Sequence, residues 1–223
     1  MIELINITKK YSGRTVLNIP RLSFKDGKRY ALIGENGSGK TMLLRIIAGT
    51  MKPDTGIVKN VPADSMGYMP QYPYAFSFTV QKNVEMALSQ SPDAAKRALR
   101  ALKAVGMADM ANARGNKLSG GETQRMAFAR MIAKPRRLIL LDEPTSSTDI
   151  KGMDKIEAIL LRYASETSCT VIFSTHLPAQ ALRVAEEVVF LNQGEIAEQG
   201  TSEQVLKNPQ SESARLFLQH WRI

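Results

Sequence analysis

Three short stretches hold most of the residues able to do chemistry. "GENGSGKT", residues 34–41, matches the phosphate-loop pattern. Its glycines let a backbone wrap closely round phosphates, and the N–H groups of Gly34, Glu35, Asn36, Gly37, Ser38, Gly39, Lys40, Thr41 and Met42 can converge on an anion. Lys40 is expected to reach the β- and γ-phosphates of a nucleotide, and the Thr41 hydroxyl to ligate Mg²⁺. "RLILLDEP" runs an apolar segment into two carboxylates. Asp142 suits Mg²⁺, directly or through water, and Glu143 can aim at an attacking water as general base. The plainer role for both acids is to cap the turn before Pro144.

The third stretch is "LSGGETQR", residues 118–125, which holds no nucleophile–base pair and no metal-ligand cluster. The Ser119 hydroxyl, the N–H groups of Gly120 and Gly121, and the start of a following helix form an anion site without a lysine. The same residues read as a helix cap, with Ser119 at the N-cap and Glu122 completing a capping box. A cap geometry is also an anion site, so the two readings coexist.

The elements that must carry these groups follow from pattern. "IELINIT", "VLNIPRLSF" and "RYALIG" read as strands, the last two joined by the turn "KDGK". The phosphate loop therefore follows a strand, and residues 41–49 open a helix that ends at glycine. "MGYMPQ" reads as a strand running up to Gln71. From Tyr72 to Pro135 the spacing turns helical, with "VQKNVEMAL" and "PDAAKRALRALKAVG" apolar every third or fourth residue. Pro92 suits a first helical turn with Ser91 as its cap, and breaks fall at Gly106, Gly115 and Pro135. Then "RLILLDEP" and "CTVIFSTH" are buried strands around the helix "IKGMDKIEAILLRYASE". "EVVFLNQGEIAEQG" is a hairpin about Gln193 and Gly194, and two short helices close the chain.

The expected fold is thus α/β: a P-loop NTPase core of mixed or parallel sheet, an N-terminal antiparallel β subdomain and an inserted α-helical subdomain. The division is one domain over residues 1–223, with core segments 1–71 and 136–223 and a helical lobe over about 72–135. The apolar fraction of 43% supplies a core and excludes global disorder. The net charge of +9 reads either as a solvated basic surface or as a sign of anionic partners, without choosing among nucleotide, nucleic acid and membrane surface. The single cysteine, Cys169, lies in an apolar run, cannot form an internal disulfide and reads as a small buried hydrophobe. No signal-like apolar core opens the chain, and the longest apolar runs are too short to cross a bilayer, so membrane association is expected through a partner.

In order along nearly the whole chain, "GENGSGKT", Gln71, "LSGGETQR", "LILLDEPT", "STD" at residues 147–149 and His176 after "FST" resemble the nucleotide-binding subunit of an ATP-binding cassette transporter. The resemblance implies that two cassettes pair head to tail, each "LSGG" turn closing over the nucleotide held by the other; two-fold pairing makes such contact reciprocal. It implies ATP and Mg²⁺ as cofactors. Gln71 would contact Mg²⁺ and the attacking water, and His176 the γ-phosphate. Tyr11 would stack on adenine, and Asp149 would belong to the interface loop, with Ser119, Gly120, Gly121 and Glu122 on the opposite nucleotide. Two positions depart from the family pattern: Thr148 replaces an apolar residue, and Glu35 stands where proline is more usual and is expected to point away from the phosphates.

The stretch "QYPYAFSFTVQKNV" places four aromatics between Gln71 and Asn83, either core of the helical lobe or a groove for a short helix of a membrane subunit. Its "TVxxNV" ending, the lack of a membrane domain and of an exporter-like acidic segment before "LSGG", and a compact tail without an appended regulatory domain resemble importer cassettes. The expected partners are a second copy or homologous nucleotide-binding subunit, a transmembrane permease and an extracytoplasmic solute-binding protein, with the chain on the cytoplasmic face of the membrane and no nucleic acid. Two other classes share some of these features. A soluble cassette ATPase acting on nucleic acid or ribosomes suits the charge but not the short interval before the signature, which has no sustained heptads. A small-molecule kinase would not need "LSGGE".

Overall fold

The computed structural model describes residues 1–88 and 91–221. Two sheets organise it. The first is antiparallel, in the order β2 (Arg14–Phe24), β1 (Ile2–Tyr11), β4 (Thr55–Lys59). The second runs β5 (Met66–Met69), β6 (Leu138–Asp142), β7 (Thr170–Thr175), β3 (Arg29–Ile33), β8 (Glu187–Asn192), β9 (Glu195–Thr201). All its neighbours pair in parallel except β8 and β9, which form the expected hairpin over Gln193 and Gly194. Both residues of that turn have positive φ, 49° and 84°, the geometry of a tight two-residue hairpin.

The turn after Phe24 does more than reverse the chain. β2 belongs to the first sheet and β3 to the centre of the second, so "KDGK" is where the polypeptide changes sheets. Buried Tyr30 holds the corner, its hydroxyl accepting from the Lys25 N–H at 2.8 Å and its ring meeting Phe24 edge-on.

The central strands are apolar on both faces, as a covered parallel sheet requires. Tyr30, Leu32, Leu138, Leu140, Ile172 and Val189 pack with Ile2, Leu4, Ile7 and Phe24 of the first sheet and with Leu43, Leu44 and Ile47 of helix α1 (Lys40–Ile47). Ala31, Ile33, Ile139, Leu141, Val171 and Phe173 face a second core. That core includes α2 (Val80–Glu85), α3 (Ala94–Ala104), α4 (Gly120–Ile132), α5 (Ile150–Thr167), α6 (Pro178–Val184), α7 (Ser202–Lys207) and α8 (Glu212–Gln219). Cys169 is fully buried beside Thr170, and burial pushes its thiol up to about 12, which leaves it an inert small apolar group. Among the described residues no helix is long and apolar enough to cross a membrane.

Three expectations change. α3 starts at Ala94 with Asp93 at its N-cap, not in the turn of Pro92; Ser91 contributes its carbonyl, which accepts from the Ala94 N–H, and not a side-chain cap. β4 and α6 have no counterpart in the sequence reading. β4 is a short edge strand, exposed along most of its length, and so lacks the alternation that marks a half-buried strand. α6 is a seven-residue helix, too short to display a period.

Candidate active site

The phosphate loop is shaped by its glycines. Gly34, Gly37 and Gly39 have φ of 147°, 82° and 104°, where side chains are strained. A methyl group on Gly34 would stand 2.1 Å from the Leu191 carbonyl oxygen. The Lys40 ammonium donates to the carbonyls of Gly34 at 2.7 Å and Glu35 at 2.9 Å. Burial lowers the Lys40 pKa, opposed by the carboxylates of Glu143 and Asp142. A phosphate would offer this cation the partner that two carbonyls now provide.

A cleft of about 440 Å³ opens over the loop, lined by Tyr11, Asn36, Gly37, Gly39, Lys40, Thr41, Met42, Arg45, Met51, Gln71 and Glu143. Tyr11 is half exposed, at the edge where a base could stack. The Glu35 side chain is exposed and outside the lining, as expected. The Ser38 side chain is buried, and its carbonyl accepts from the Gly194 N–H at 3.1 Å, tying the loop to the β8–β9 turn. A larger cleft of about 550 Å³ lies between α3 and α5, rimmed by Lys96, Arg97, Arg100 and Arg162. It has cations but no phosphate loop, so the smaller cleft is the candidate nucleotide site on chemical grounds.

β6 delivers the two acids. Asp142 is 1% exposed; its Oδ1 accepts from the Ser174 hydroxyl at 2.6 Å and the Thr41 hydroxyl at 3.1 Å, while Oδ2 is buried without a partner. Burial pushes its carboxyl above the ordinary range, and the two hydroxyls oppose the shift. An orphaned buried carboxylate oxygen beside a threonine hydroxyl at a phosphate loop fits Mg²⁺, which takes one or two protein oxygens and fills its shell with water and phosphate.

This arrangement carries a prediction. Asp142→Asn removes a buried charge whose Oδ2 has no hydrogen-bond partner among the described residues. Metal-free Asp142→Asn should therefore melt about 2–4 °C above wild type, the shift expected for about 1 kcal/mol in a chain of this size. Mg²⁺-ATP should then raise the melting temperature of wild type far more than that of the variant. Scanning fluorimetry with and without Mg²⁺-ATP reads both effects; a lower metal-free melting point would contradict the account of Oδ2.

Glu143 lies at the meeting point of the predicted catalytic residues. Its Oε2 accepts from the Gln71 side-chain amide at 3.2 Å, and His176 Nδ1 stands 3.5 Å from the same oxygen. His176 does not line the nucleotide cleft; it lines a neighbouring one of about 250 Å³ with Glu143, Thr145, Asp149 and Gln180, so that Glu143 forms the wall between the two. Glu143 is also left-handed, with φ of 46°, a conformation rare for a residue with a side chain.

The signature turn sits elsewhere. None of Ser119, Gly120, Gly121 and Glu122 lines the nucleotide cleft. The capping box forms: the Ser119 N–H and hydroxyl donate to Glu122 Oε2 at 2.7 and 2.8 Å. These bonds hold the Glu122 carboxyl below the usual range. Asp149 caps α5, accepting from the Gly152 N–H at 2.9 Å. Of the aromatics after Gln71, Tyr72, Tyr74, Phe76 and Phe78 are 83, 68, 38 and 53% exposed, which removes the core reading for this stretch. Tyr74 and Phe76 meet edge-on, and the Arg130 guanidinium lies over the Phe76 ring.

Three residues of this region escaped the sequence reading: Arg45 in the cleft, Ser174 on Asp142 and Gln124 in α4. Fully buried Asn83 bonds the Phe76 backbone through both its N–H and its carbonyl and also receives Arg130. Ser174 and Gln124 carry no local signal, because each works through partners distant in the chain.

Residues 17–146 match the family described as ABC transporter. The sulfate/thiosulfate import ATP-binding protein CysA 2 of Shewanella oneidensis is 34% identical over 235 residues, covering 97% of this chain and 66% of the relative. The tungstate uptake system ATP-binding protein TupC of Peptoclostridium acidaminophilum is 33% identical, covering 88% of this chain and 97% of the relative. The zinc import ATP-binding protein ZnuC of a Chelativorans species is 35% identical, covering 97% and 76%. Among solved structures, a dimeric ATP-binding cassette in a post-hydrolysis state with ADP and Pi superposes with a TM-score of 0.82 at 30% identity, covering 91% of this chain and 99% of that one. An ATP-binding subunit of an ABC transporter reaches 0.84 at 19% identity over all of both chains, a likeness of fold alone.

Proposed function

The chain belongs to the ABC transporter family as an ATP-hydrolysing cassette of the kind found in import systems, and we propose that it closes head to tail on ATP with a second copy or a homologous cassette. That closure would energise solute uptake through a transmembrane permease at the cytoplasmic face of the membrane. The observation that carries this reading is a division of labour. Phosphate-loop residues, Gln71 and Glu143 line one cleft, with Asp142 and His176 next to it, while the signature turn, built as an anion site, is absent from it. A partner's nucleotide gives that turn its purpose.

In the closed pair, backbone N–H groups of residues 34–42 and the Lys40 ammonium hold the phosphates, and Tyr11 lies against the base. Thr41, Asp142 and Gln71 would hold Mg²⁺, whose charge would stabilise negative charge on the phosphates. Glu143 takes a proton from the attacking water as the new oxygen–phosphorus bond forms and the bond to the β-phosphate oxygen breaks, releasing ADP. Gln71 and His176 orient that carboxylate and the water. Ser119, Gly120, Gly121 and Glu122 of each cassette, with Asp149 beside them, complete the opposite site. Within this reading residues 72–135 form the helical lobe, and segments 1–71 and 136–223 the core.

The exposed aromatics suit a docking surface for the permease, since soluble chains seldom leave such a cluster uncovered. Replacing Tyr74 and Phe78 together by serine should weaken binding of permease-containing vesicles about thirtyfold or more, the cost of about 2 kcal/mol at an aromatic hot spot. Co-sedimentation measures it; undiminished binding would move the docking site elsewhere. An extracytoplasmic solute-binding protein completes the proposed system, with no nucleic-acid partner.

A further inference from the structure

We propose that Gln124, six residues into "LSGGETQR", is a positioning residue for Glu143, and that through it the signature helix sets the geometry of the catalytic base in the same chain. The inference rests on Glu143 being that base.

The observations concern how a left-handed glutamate is held. Backbone strain of this kind persists only where the surroundings over-determine it. Two side chains grip Glu143 from opposite sides. The Ser174 hydroxyl accepts from its N–H at 2.9 Å, and the Gln124 amide donates to its carbonyl at 2.9 Å. Ser174 comes from the sheet, but Gln124 comes from α4, whose first residues are the signature turn. Gln124 is 1% exposed and fully used: its amide also reaches the Ser146 hydroxyl at 3.3 Å, and its oxygen accepts from the Ser147 N–H at 3.0 Å.

Gly121 lies one turn earlier on the same face of α4, where a methyl group would stand 2.7 Å from the Ser147 carbonyl oxygen. The helix therefore seats on residues 146–147 at two points, one steric and one hydrogen-bonded. A buried amide with three partners has a defined place, because leaving any of those partners unmatched is costly. A shift of the signature helix moves the group that holds the Glu143 backbone, and the carboxylate, anchored only by Gln71 and approached by His176, follows.

The test uses purified full-length chain and Gln124→Met, which keeps the length and packing of the side chain and removes its polar ends. Turnover should fall about 10- to 100-fold, the cost of displacing a reacting group by about an ångström. The affinity of the monomer for ATP should change by less than about threefold, because the phosphate loop is untouched. In the Glu143→Gln background the same substitution should cost little more, since a positioner has nothing left to position. The Glu143→Gln, Gln124→Met double variant should still form the ATP-bound pair.

Additive losses in that cycle, wild-type turnover by a folded Gln124→Met protein, or loss of pairing would each overturn the proposal. Gln124→Glu gives a second route if the methionine variant does not fold. It keeps the acceptor for the Ser147 N–H but puts an oxygen against the Glu143 carbonyl, and the same selective loss of turnover is expected. The two readings fail separately: full turnover by Glu143→Gln removes the base itself, whereas an inactive Glu143→Gln beside a fully active Gln124→Met removes only the positioner.

Discussion

Glu143→Gln should bind ATP with near wild-type affinity, hydrolyse it about 10²- to 10⁴-fold more slowly and accumulate as an ATP-bound pair, the loss expected when a general base is removed from proton transfer. The geometry explains why binding survives. Glutamine keeps the shape of the side chain, and by turning its amide it can still present an oxygen to the Gln71 N–H that now bonds Glu143. The backbone bonds from Ser174 and Gln124 are unaffected, so the left-handed turn after Asp142 should persist. The phosphate-holding groups do not include this side chain. What disappears is a carboxylate able to accept a proton from water. Light scattering with excess Mg²⁺-ATP should show the doubled mass persisting for the variant and decaying for wild type, and phosphate release gives the rate. Turnover close to wild type would assign the base to another residue.

Ser119→Arg should abolish pairing and reduce turnover at least as much, while each monomer still binds ATP. In the proposed function nucleotide loads into the cleft over residues 34–42, and Ser119 does not line it. The substitution does break the capping box with Glu122, at about 1 kcal/mol. α4 should survive, because Met126, Ala127, Phe128 and Ala129 anchor it in the core. Arginine then places bulk where a partner's phosphate would approach the turn. Ser119→Ala loses the same cap without the bulk, so the difference between the two variants isolates occupancy of the interface from weakening of the helix. Calorimetric ATP titration and light scattering in the Glu143→Gln background separate the two steps. Loss of ATP binding by the Ser119→Arg monomer would place the signature turn in its own nucleotide site and end the head-to-tail account.

Both experiments concern residues whose chemistry is written locally in the chain, and that is the extent of what the sequence determines alone. A phosphate loop is eight consecutive residues whose function resides in their own backbone. A capping box is a serine and a glutamate three positions apart. A buried strand ending in acids announces itself by its apolar run. Each depends on interactions within a turn or two, so residue type and spacing suffice, and the structure has the loop, the Ser119–Glu122 cap and β6 where the pattern puts them.

Convergence was decided elsewhere. Gln71, Glu143 and His176 meet because β5, β6 and β7 are neighbours in one parallel sheet, a fact of strand order that no local window contains. Ser174 and Gln124 acquire their roles only when a serine 31 residues away and a glutamine 19 residues away reach the backbone of Glu143. The exposure of Tyr72, Tyr74, Phe76 and Phe78 likewise depends on what packs beneath them, and it is Asn83 and Arg130 that fold the segment outward. Local rules assign conformation where short-range bonds dominate; buried polar groups take their meaning from whichever distant atoms satisfy them, and only the packed chain chooses those atoms.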